Sequence, residues 1–322
     1  MQRRIRTINR RTPALAAAIV LAVAAVTPGP SVAGESTVSV MESVVSLLPE
    51  WPSAESRPKE PEGTAVAVMP GGYLATNDHI LGSAKKVKIR LNDRRIRAAE
   101  IIGRDALTDI ALIKASMDFP VPPIGGNPGL GESVCAIGNQ FGMGLSITCG
   151  VASALHRTGT GFNEIEDFIQ TDAVINPGGS GGALIDGHGR LVGLVSAIFT
   201  KDSDANIGVN FAASMKLVMR VVRDLKDHGR VIRGKLGFGV RDLTQSERRA
   251  MAGAAIDRIA RDGPAMKAGL KVGDVITKIG ARPVRRSSDV PGWAHLSRPG
   301  DSIEITLLRG GARLKLSLTM AP

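Results

Sequence analysis

Short apolar runs, separated by glycine, proline, asparagine or aspartate, dominate the chain from residue 64 to about residue 212. Examples are "TAVAV", "KVKIRL", "IALIKA" and "RLVGLVSAIF". Many short strands at such spacing predict an all-β sandwich or a pair of barrels. A long helical pattern follows only at Ser214–His228, where apolar residues recur on one face.

A second unit follows Arg230–Gly234 and mixes strand-like and helix-like segments. Its last two apolar stretches, "IEITLL" and "RLKLSL", alternate apolar and polar residues around Gly310–Gly311, which is typical of a tight hairpin. The pattern therefore predicts a mainly β domain over residues 63–229 and a compact α+β module over residues 232–320.

Residues 1–33 have the pattern of a signal peptide. Five arginines precede the apolar run "ALAAAIVLAVAAV", and "SVA" (Ser31–Ala33) offers a small-residue cleavage site. The run is too short to span a bilayer comfortably, and an N-terminal membrane anchor is the alternative. Residues 34–62 begin apolar and become rich in Pro and Glu, which predicts an exposed loop. We therefore expect a periplasmic or secreted protein without a membrane span after cleavage.

The net charge gives little support to a nucleic-acid partner. Loss of the five arginines in residues 1–33 lowers the formal charge from +11 to +6. The remaining basic residues are spread along the chain, with no basic run interleaved with aromatic residues. We therefore expect no nucleic-acid binding.

Two cysteines, Cys135 and Cys149, lie on either side of "GNQFGMG". Export permits a disulfide. If the flanking segments form a hairpin centred near Gly142, the two side chains could face each other, as a disulfide requires. Two buried free thiols are the alternative. Two cysteines without a histidine cluster are too few for a metal site, so we expect no metal.

The stretch "NPGGSGGALI" (Asn176–Ile185) surrounds Ser180 with four glycines. It fits a flexible connector, a phosphate cradle or a turn that presents a nucleophile. His79, Asp109 and Ser180 occur in the order base, orienting acid and nucleophile. An α/β-hydrolase elbow needs a helix after the serine, whereas "ALIDGHGRLVGLV" predicts strand, turn and strand. No Lys-Ser/Thr pair follows the glycines, which argues against a phosphate cradle.

Five segments resemble, in order, the marker segments of HtrA/DegP-type serine proteases: "GYLATNDHIL", "GRDALTDIALIKA", "IGNQFGMGLSITCGVASAL", "QTDAVINPGGSGGAL" and "LVGLVSAI". The resemblance implies a chymotrypsin-like double β-barrel over residues 63–229. It implies that His79 is the general base, that Asp109 orients it and that Ser180 is the nucleophile. It also implies an oxyanion hole formed by the backbone N–H groups of Gly178 and Ser180.

The same resemblance suggests a substrate pocket. In chymotrypsin-like folds, the position six residues before the nucleophile lies at the base of the S1 pocket, and here it is Val174. The expected walls are Ser196, Ala197, Ile198, Val209 and Phe211. Because valine cannot pair with a buried cation, we expect cleavage after small or medium aliphatic residues.

Residues 232–320 resemble the PDZ domain that follows the protease in this family, as "RGKLGFGV" and "GPAMKAGLKVGDVITKIGARPV" show. A PDZ groove binds a peptide C-terminus as an added strand. The matching carboxylate loop is formed by Lys235, Leu236, Gly237 and Phe238. Trp293 and Leu296 would stand opposite on a helix, although Trp293 could equally be a core residue.

Three departures from the family pattern qualify the resemblance. Gly179 stands where Asn is usual and could let its peptide flip, and Gln140 stands where Pro is usual and could loosen a regulatory loop. The N-terminal segment offers only Trp51 where relatives use Phe and Tyr to trimerise. A homotrimer or a higher oligomer is nevertheless the expected assembly.

The resemblance implies an exported serine endopeptidase that degrades unfolded or misfolded envelope proteins through an acyl-enzyme intermediate. Its partners would be unfolded polypeptides and peptide C-termini, and no cofactor is implied. The alternative is a chaperone or peptide-binding module whose protease site is mostly inactive, which Gly179 and Gln140 would favour.

Overall fold

The computed structural model describes residues 38–52, 62–200, 206–294 and 296–322. The signal peptide expected at residues 1–33 lies outside these residues. No helix within the described ranges is long and apolar enough to cross a membrane.

Six antiparallel strands form the first barrel: β1 (Val44–Glu50), β2 (Gly63–Met69), β3 (Tyr73–Thr76), β4 (Lys86–Arg90), β5 (Ile96–Asp105) and β6 (Ile110–Ala115). They close in the order β1-β2-β3-β6-β5-β4, which removes exposed edges. Helix α1 (Asp78–Leu81) follows β3. The barrel begins before residue 63, because "VVSLLPE" pairs with both β2 and β4 and buries its apolar residues.

Six further strands form the second barrel: β7 (Ser133–Gly138), β8 (Ser146–Arg157), β9 (Phe168–Thr171), β10 (Ala183–Asp186), β11 (Leu191–Thr200) and β12 (Asn206–Ser214). They close in the order β10-β11-β12-β9-β8-β7. One core of buried Val, Ile, Leu and Phe side chains continues from the first barrel into the second. The prediction of a mainly β chain with a pair of barrels is therefore confirmed.

Helix α2 (Met215–His228) joins the second barrel to the C-terminal unit. The Ser214 side chain caps its start by accepting a hydrogen bond from the Leu217 amide. Gly229 ends it in the left-handed conformation, with φ 67°, and donates to the Leu225 carbonyl. The predicted apolar face packs against both barrels, since its Val and Leu side chains belong to the shared core.

The C-terminal unit is an antiparallel sheet with short helices, as the α+β prediction requires. Its strands are β13 (Phe238–Asp242), β14 (Ala254–Ile259), β15 (Val275–Ile279), β16 (Arg282–Pro283), β17 (Ser302–Arg309) and β18 (Ala312–Thr319). Its helices are α3 (Gln245–Arg248), α4 (Pro264–Lys267) and α5 (Asp289–Ala294). The strand order β13-β14-β15-β17-β18, with β16 beside β15, leaves β13 at an edge.

Asp167 connects the second barrel to the C-terminal unit. Its fully buried carboxylate lies 2.7 Å from His156 Nδ1, accepts from Ser214 Oγ at 2.8 Å and pairs with Arg282 Nη1 at 3.3 Å. Burial raises the pKa of this carboxyl. The hydrogen bonds from His156 and Ser214 and the charge of Arg282 outweigh burial, so the pKa lies below its ordinary value.

Trp293 and Leu296 contribute to the same contact. The Trp293 ring is 6% exposed, meets the His156 ring edge-on with centroids 5.3 Å apart and lies 4.1 Å from the Arg282 guanidinium. Leu296 packs against the core shared by the two barrels. Of the two interpretations of Trp293, the structure therefore supports a core residue, at the contact between the two units.

Cys135 and Cys149 form a disulfide. They are directly opposite residues of β7 and β8, with Cα atoms 4.1 Å apart, at the base of the hairpin whose tip is the 3₁₀ turn Gln140–Gly142. The hairpin expected from the sequence thus supplies the pairing, and the disulfide holds the two ends of its loop together.

Replacing both cysteines, Cys135→Ala with Cys149→Ala, should lower the free energy of unfolding by about 3 kcal/mol, because the unfolded chain gains the conformational entropy of a loop whose ends are 14 residues apart in sequence. Urea denaturation measures the change. Wild-type protein unfolded in a reductant should show a similar loss. An unchanged midpoint in both experiments would contradict a stabilising disulfide.

Candidate active site

A cavity of about 470 Å³ opens where the two barrels meet. Its lining residues are Asp78, His79, Ala106, Asp109, Phe162, Asn163, Asn176, Pro177, Ser180 and Ser196. The structure thus brings the three residues predicted as a triad to one cavity. Among the described residues, no cluster of His, Cys, Asp or Glu could hold a metal ion.

His79 and Asp109 form a hydrogen-bonded pair at the cavity. His79 Nδ1 lies 2.7 Å from one carboxylate oxygen of Asp109, and the His79 amide donates to the other at 2.8 Å. A carboxylate partner requires the proton on Nδ1, which leaves Nε2 as the ring's acceptor. Asp109 is held with φ 56°, an uncommon conformation for a residue with a side chain. In this conformation both carboxylate oxygens of Asp109 bond to His79.

Asn77 is a site residue that the sequence analysis missed. Its fully buried side-chain amide donates to the Asp109 carbonyl at 2.9 Å and to Ser196 Oγ at 3.3 Å. Asn77 therefore ties the end of β3 to the Asp109 turn and to β11. The motif "ATNDH" contained the residue, but only the three-dimensional register reveals its two partners.

The loop before β10 needs glycine at two positions because other backbone approaches closely. Gly181 has φ 81°, and a Cβ there would lie 2.0 Å from the Thr64 carbonyl oxygen. Gly178 has φ 91°, and a Cβ there would lie 2.4 Å from the Asn139 carbonyl oxygen. Any side chain at either position would displace the neighbouring segment.

Hydrogen bonds fix the orientation of the peptides around Ser180. The Pro177 carbonyl accepts from the Phe141 amide at 2.7 Å, and the Gly179 carbonyl accepts from the Gly182 amide at 3.0 Å. A trans peptide points its N–H and C=O in opposite directions. The N–H groups that follow these carbonyls, those of Gly178 and Ser180, are therefore turned away from Phe141 and Gly182.

Gln140 and Gly179, two of the departures from the family pattern, are neighbours in space. Gln140 is buried, and its Oε1 accepts from Asn176 Nδ2 at 2.7 Å. A Cβ on Gly179 would lie 3.6 Å from Gln140 Cγ and 3.0 Å from the Asn176 carbonyl oxygen. Gln140 thus lies beside Gly179 and links the β7–β8 hairpin to the loop that carries Ser180 (the serine loop, residues 176–182). The sequence had suggested instead that Gln140 could loosen a regulatory loop.

Glu166 organises a loop over the cavity. Its buried carboxylate accepts from the backbone amides of four consecutive residues, Thr160, Gly161, Phe162 and Asn163, at 2.7 to 3.1 Å. This loop places Phe162 at the cavity, where its ring centroid lies 5.7 Å from that of Phe211. The sequence gave no periodic or motif signal for this arrangement.

Only some of the predicted S1 residues lie at the cavity. Ser196 is buried and lines the cavity, and Phe211 is buried beneath Phe162. Val209 packs half-buried against the shared core. Val174 is 44% exposed and is not among the cavity's lining residues. The side chains of Ala197 and Ile198 lie outside the described residues.

The predicted carboxylate loop lies beside the edge strand β13. Lys235 is exposed and pairs through its backbone with Ala321, at 2.8 and 3.1 Å. Gly237 adopts the left-handed conformation, with φ 74°, while Leu236 and Phe238 pack half-buried against the core of the C-terminal unit. Among the described strands, β13 pairs only with β14, so its other edge is available to an added strand.

Comparison with known proteins follows the same division of the chain. Residues 63–194 match the trypsin-like peptidase domain family, and residues 234–320 match the PDZ domain family. The probable periplasmic serine endoprotease DegP-like of Ectopseudomonas mendocina is 36% identical over 287 residues, which are 87% of this chain and 60% of that protein. The periplasmic serine endoprotease DegP of Salmonella typhimurium is 35% identical over 258 residues, 77% of this chain and 54% of that protein.

Solved structures extend the likeness across both units. The HtrA-type protease AlgW with tripeptide superposes with a TM-score of 0.72 at 35% identity, covering 90% of this chain and 96% of that one. The serine endoprotease from Yersinia pestis gives a TM-score of 0.63 at 30% identity, covering 92% and 98%. The chain spans about 60% of the length of the curated relatives that it matches.

Gln140→Ala should slow the reaction of Ser180 with a fluorophosphonate by about 10-fold, since small misplacements of reacting groups can cost up to about 100-fold in rate. The labelling rate, followed by mass spectrometry, measures the effect. Gln170→Ala is the matched control, because it removes one hydrogen bond to Arg157 away from the cavity. Equal rates for the two variants would contradict a role of Gln140 in holding the loop.

Proposed function

Because the chain belongs to the HtrA/DegP family of serine endoproteases, we propose that it is an exported serine endopeptidase acting through His79, Asp109 and Ser180. The observation that carries the proposal is the His79–Asp109 pair, 2.7 Å apart, in the cavity that Ser180 also lines. A serine hydroxyl becomes a nucleophile when an oriented base accepts its proton. The cavity supplies both the serine and an oriented imidazole.

In the proposed reaction, Ser180 Oγ attacks the scissile carbonyl while His79 Nε2 takes the serine proton. Asp109 keeps the other imidazole proton on Nδ1 and stabilises the imidazolium. The N–H groups of Gly178 and Ser180 bind the oxyanion that forms. His79 then protonates the leaving amine, and an acyl-enzyme remains. Water, deprotonated by His79, hydrolyses it and regenerates Ser180.

The substrates proposed are unfolded or misfolded proteins of the cell envelope, cleaved after small or medium aliphatic residues. Val174 is proposed at the base of the S1 pocket, with walls formed by Ser196, Ala197, Ile198, Val209 and Phe211. Because Val174 is exposed and does not line the cavity beside Ser180, the proposed pocket extends beyond that cavity. These side chains carry no charge that could pair with lysine or arginine. Ser196 and Phe211 are buried and uncharged, which supports a pocket without a charged wall.

The C-terminal unit is proposed to bind peptide C-termini. The carboxylate would lie at Lys235–Phe238, and the chain before it would extend β13. Supporting observations are the edge position of β13 and the left-handed Gly237. We further propose export to the periplasm, as the relatives' names indicate for those proteins, and assembly as a homotrimer or a higher oligomer.

Purified protein should hydrolyse casein, and Ser180→Ala should abolish this hydrolysis while keeping the same thermal unfolding midpoint. Loss of one member of a triad removes most of the catalytic rate. Mass spectrometry of the products should place the cleavages after valine, alanine, leucine or isoleucine. Preferred cleavage after lysine or arginine would contradict the S1 assignment.

The casein experiment also separates the alternative function. A wild-type protein that suppresses aggregation of unfolded casein but hydrolyses it no faster than Ser180→Ala would favour the chaperone alternative. Labelling of Ser180 by a fluorophosphonate in the wild type alone would support the protease.

Decapeptides that end in a free Val, Leu or Phe should bind the protein, and their C-terminal amides should bind at least 10-fold more weakly, because charge-assisted hydrogen bonds to the carboxylate are lost. Phe238→Ala should weaken binding, whereas Lys235→Ala should change it little, since the Lys235 side chain is exposed. Isothermal titration calorimetry measures both. Equal binding of acids and amides would exclude capture of C-termini.

A further inference from the structure

Thr64 connects the first barrel to the serine loop of the second barrel. It is the second residue of β2 and is fully buried. Its amide donates to the Ser180 carbonyl at 2.9 Å, and its hydroxyl donates to the Gly178 carbonyl at 2.7 Å. The same hydroxyl accepts from the Asn139 amide at 2.9 Å. One residue therefore contacts both the loop that carries Ser180 and the hairpin beside it.

The Thr64 contacts fix peptide planes rather than merely filling space. A hydroxyl has one donor, and Thr64 directs it at the carbonyl of Gly178, so the Gly178–Gly179 peptide has one orientation. The Gly179 amide donates on its opposite side to the Asn176 carbonyl at 2.9 Å. Ser180 is held through its own carbonyl. Both residues proposed to supply oxyanion donors are thus anchored to one strand of the other barrel.

The residue that donates to the Thr64 hydroxyl, Asn139, belongs to a hydrogen-bond network with Glu62 and Arg90. Asn139 is fully buried, and its side-chain amide donates to Glu62 Oε2 at 2.8 Å. Glu62 in turn pairs with both terminal nitrogens of Arg90, at 3.0 and 2.6 Å. Bidentate pairs of this kind restrict orientation. The Asn139 side chain is therefore held by Glu62, while the backbone amide of the same residue donates to the Thr64 hydroxyl.

We propose that Thr64 is a positioning residue for the oxyanion hole. Its hydroxyl and amide hold the Gly178–Gly179 and Ser180–Gly181 peptides, which adjoin the two peptides that carry the Gly178 and Ser180 N–H groups, and so keep those N–H groups facing the reacting carbonyl. This inference rests on the proposed function of Ser180. Thr64 is fully buried and does not line the cavity, so it acts through the serine loop and not directly on the substrate. Thr64 therefore lowers the free energy of the transition state, where negative charge develops on the substrate oxygen, and has little effect on binding of the neutral substrate.

Thr64→Val tests the proposal, because valine keeps the shape and burial of threonine and removes only the hydroxyl. Thr64→Ser restores the hydroxyl. Thr306→Val is the matched control: Thr306 is also a buried strand residue, but it lies in β17 of the C-terminal unit, where its carbonyl accepts from Thr277 Oγ1, and not beside the serine loop. All variants are compared with the wild type on a fluorogenic peptide taken from a casein cleavage site.

For Thr64→Val, we expect kcat to fall about 10- to 100-fold with KM changed less than about 3-fold, within the range seen when an oxyanion donor is lost or displaced. Inhibition by a peptide aldehyde of the same sequence, whose adduct places an oxygen in the hole, should weaken in parallel. Thr64→Ser should recover most of kcat. Thr306→Val should keep its kcat.

Equal kcat values for Thr64→Val and Thr306→Val would overturn the proposal, as would a loss confined to KM. If Thr64→Val does not fold, Thr64→Ala makes the same comparison with Thr64→Ser. A wild type that neither cleaves the peptide nor labels at Ser180 would refute the proposed function, and the inference would fall with it. An active wild type with an equally active Thr64→Val would refute the inference alone.

Discussion

The close approach of strand β2 to the glycine loop is the constraint on which the site depends. The Thr64 carbonyl lies where a Cβ of Gly181 would be, and the Thr64 amide bonds to the Ser180 carbonyl. Two barrels can meet this closely only where one of them presents bare backbone. The glycines that make the serine loop look flexible in sequence are thus the condition for its tight packing. The cavity forms at the same seam, between His79 and Asp109 on one barrel and Ser180 on the other.

The sequence predicted the barrels, the long helix and the three polar residues at the cavity, since strand periodicity and ordered motifs are local signals. It did not predict Asn77, Thr64 or Glu166 as organising residues. Their roles come from hydrogen bonds to residues distant along the chain, and a single sequence carries no register between such segments. The role of Trp293 could not be predicted for the same reason, because a residue in the wall of a groove and a residue in the core have the same local sequence pattern.

Gln140 and Gly179 illustrate how two apparent defects can compensate. Each alone suggests a looser site, one by losing a rigid proline and the other by gaining backbone freedom. In the structure the glutamine lies against the glycine and accepts a hydrogen bond from Asn176. The loop that carries Ser180 is therefore restrained by a side chain from the adjacent hairpin, whose ends the Cys135–Cys149 disulfide joins.

The buried Asp167 makes the two units less independent than their separate family matches suggest. One carboxylate serves His156 and Ser214 of the barrel and Arg282 of the C-terminal unit. A buried carboxylate that loses its cation carries a large desolvation cost. A chimera that grafted a foreign peptide-binding unit onto these barrels would thus need an arginine at the position of Arg282 and a ring at that of Trp293. Whether such a chimera is stable would depend on a cation for Asp167 more than on the linker between the units.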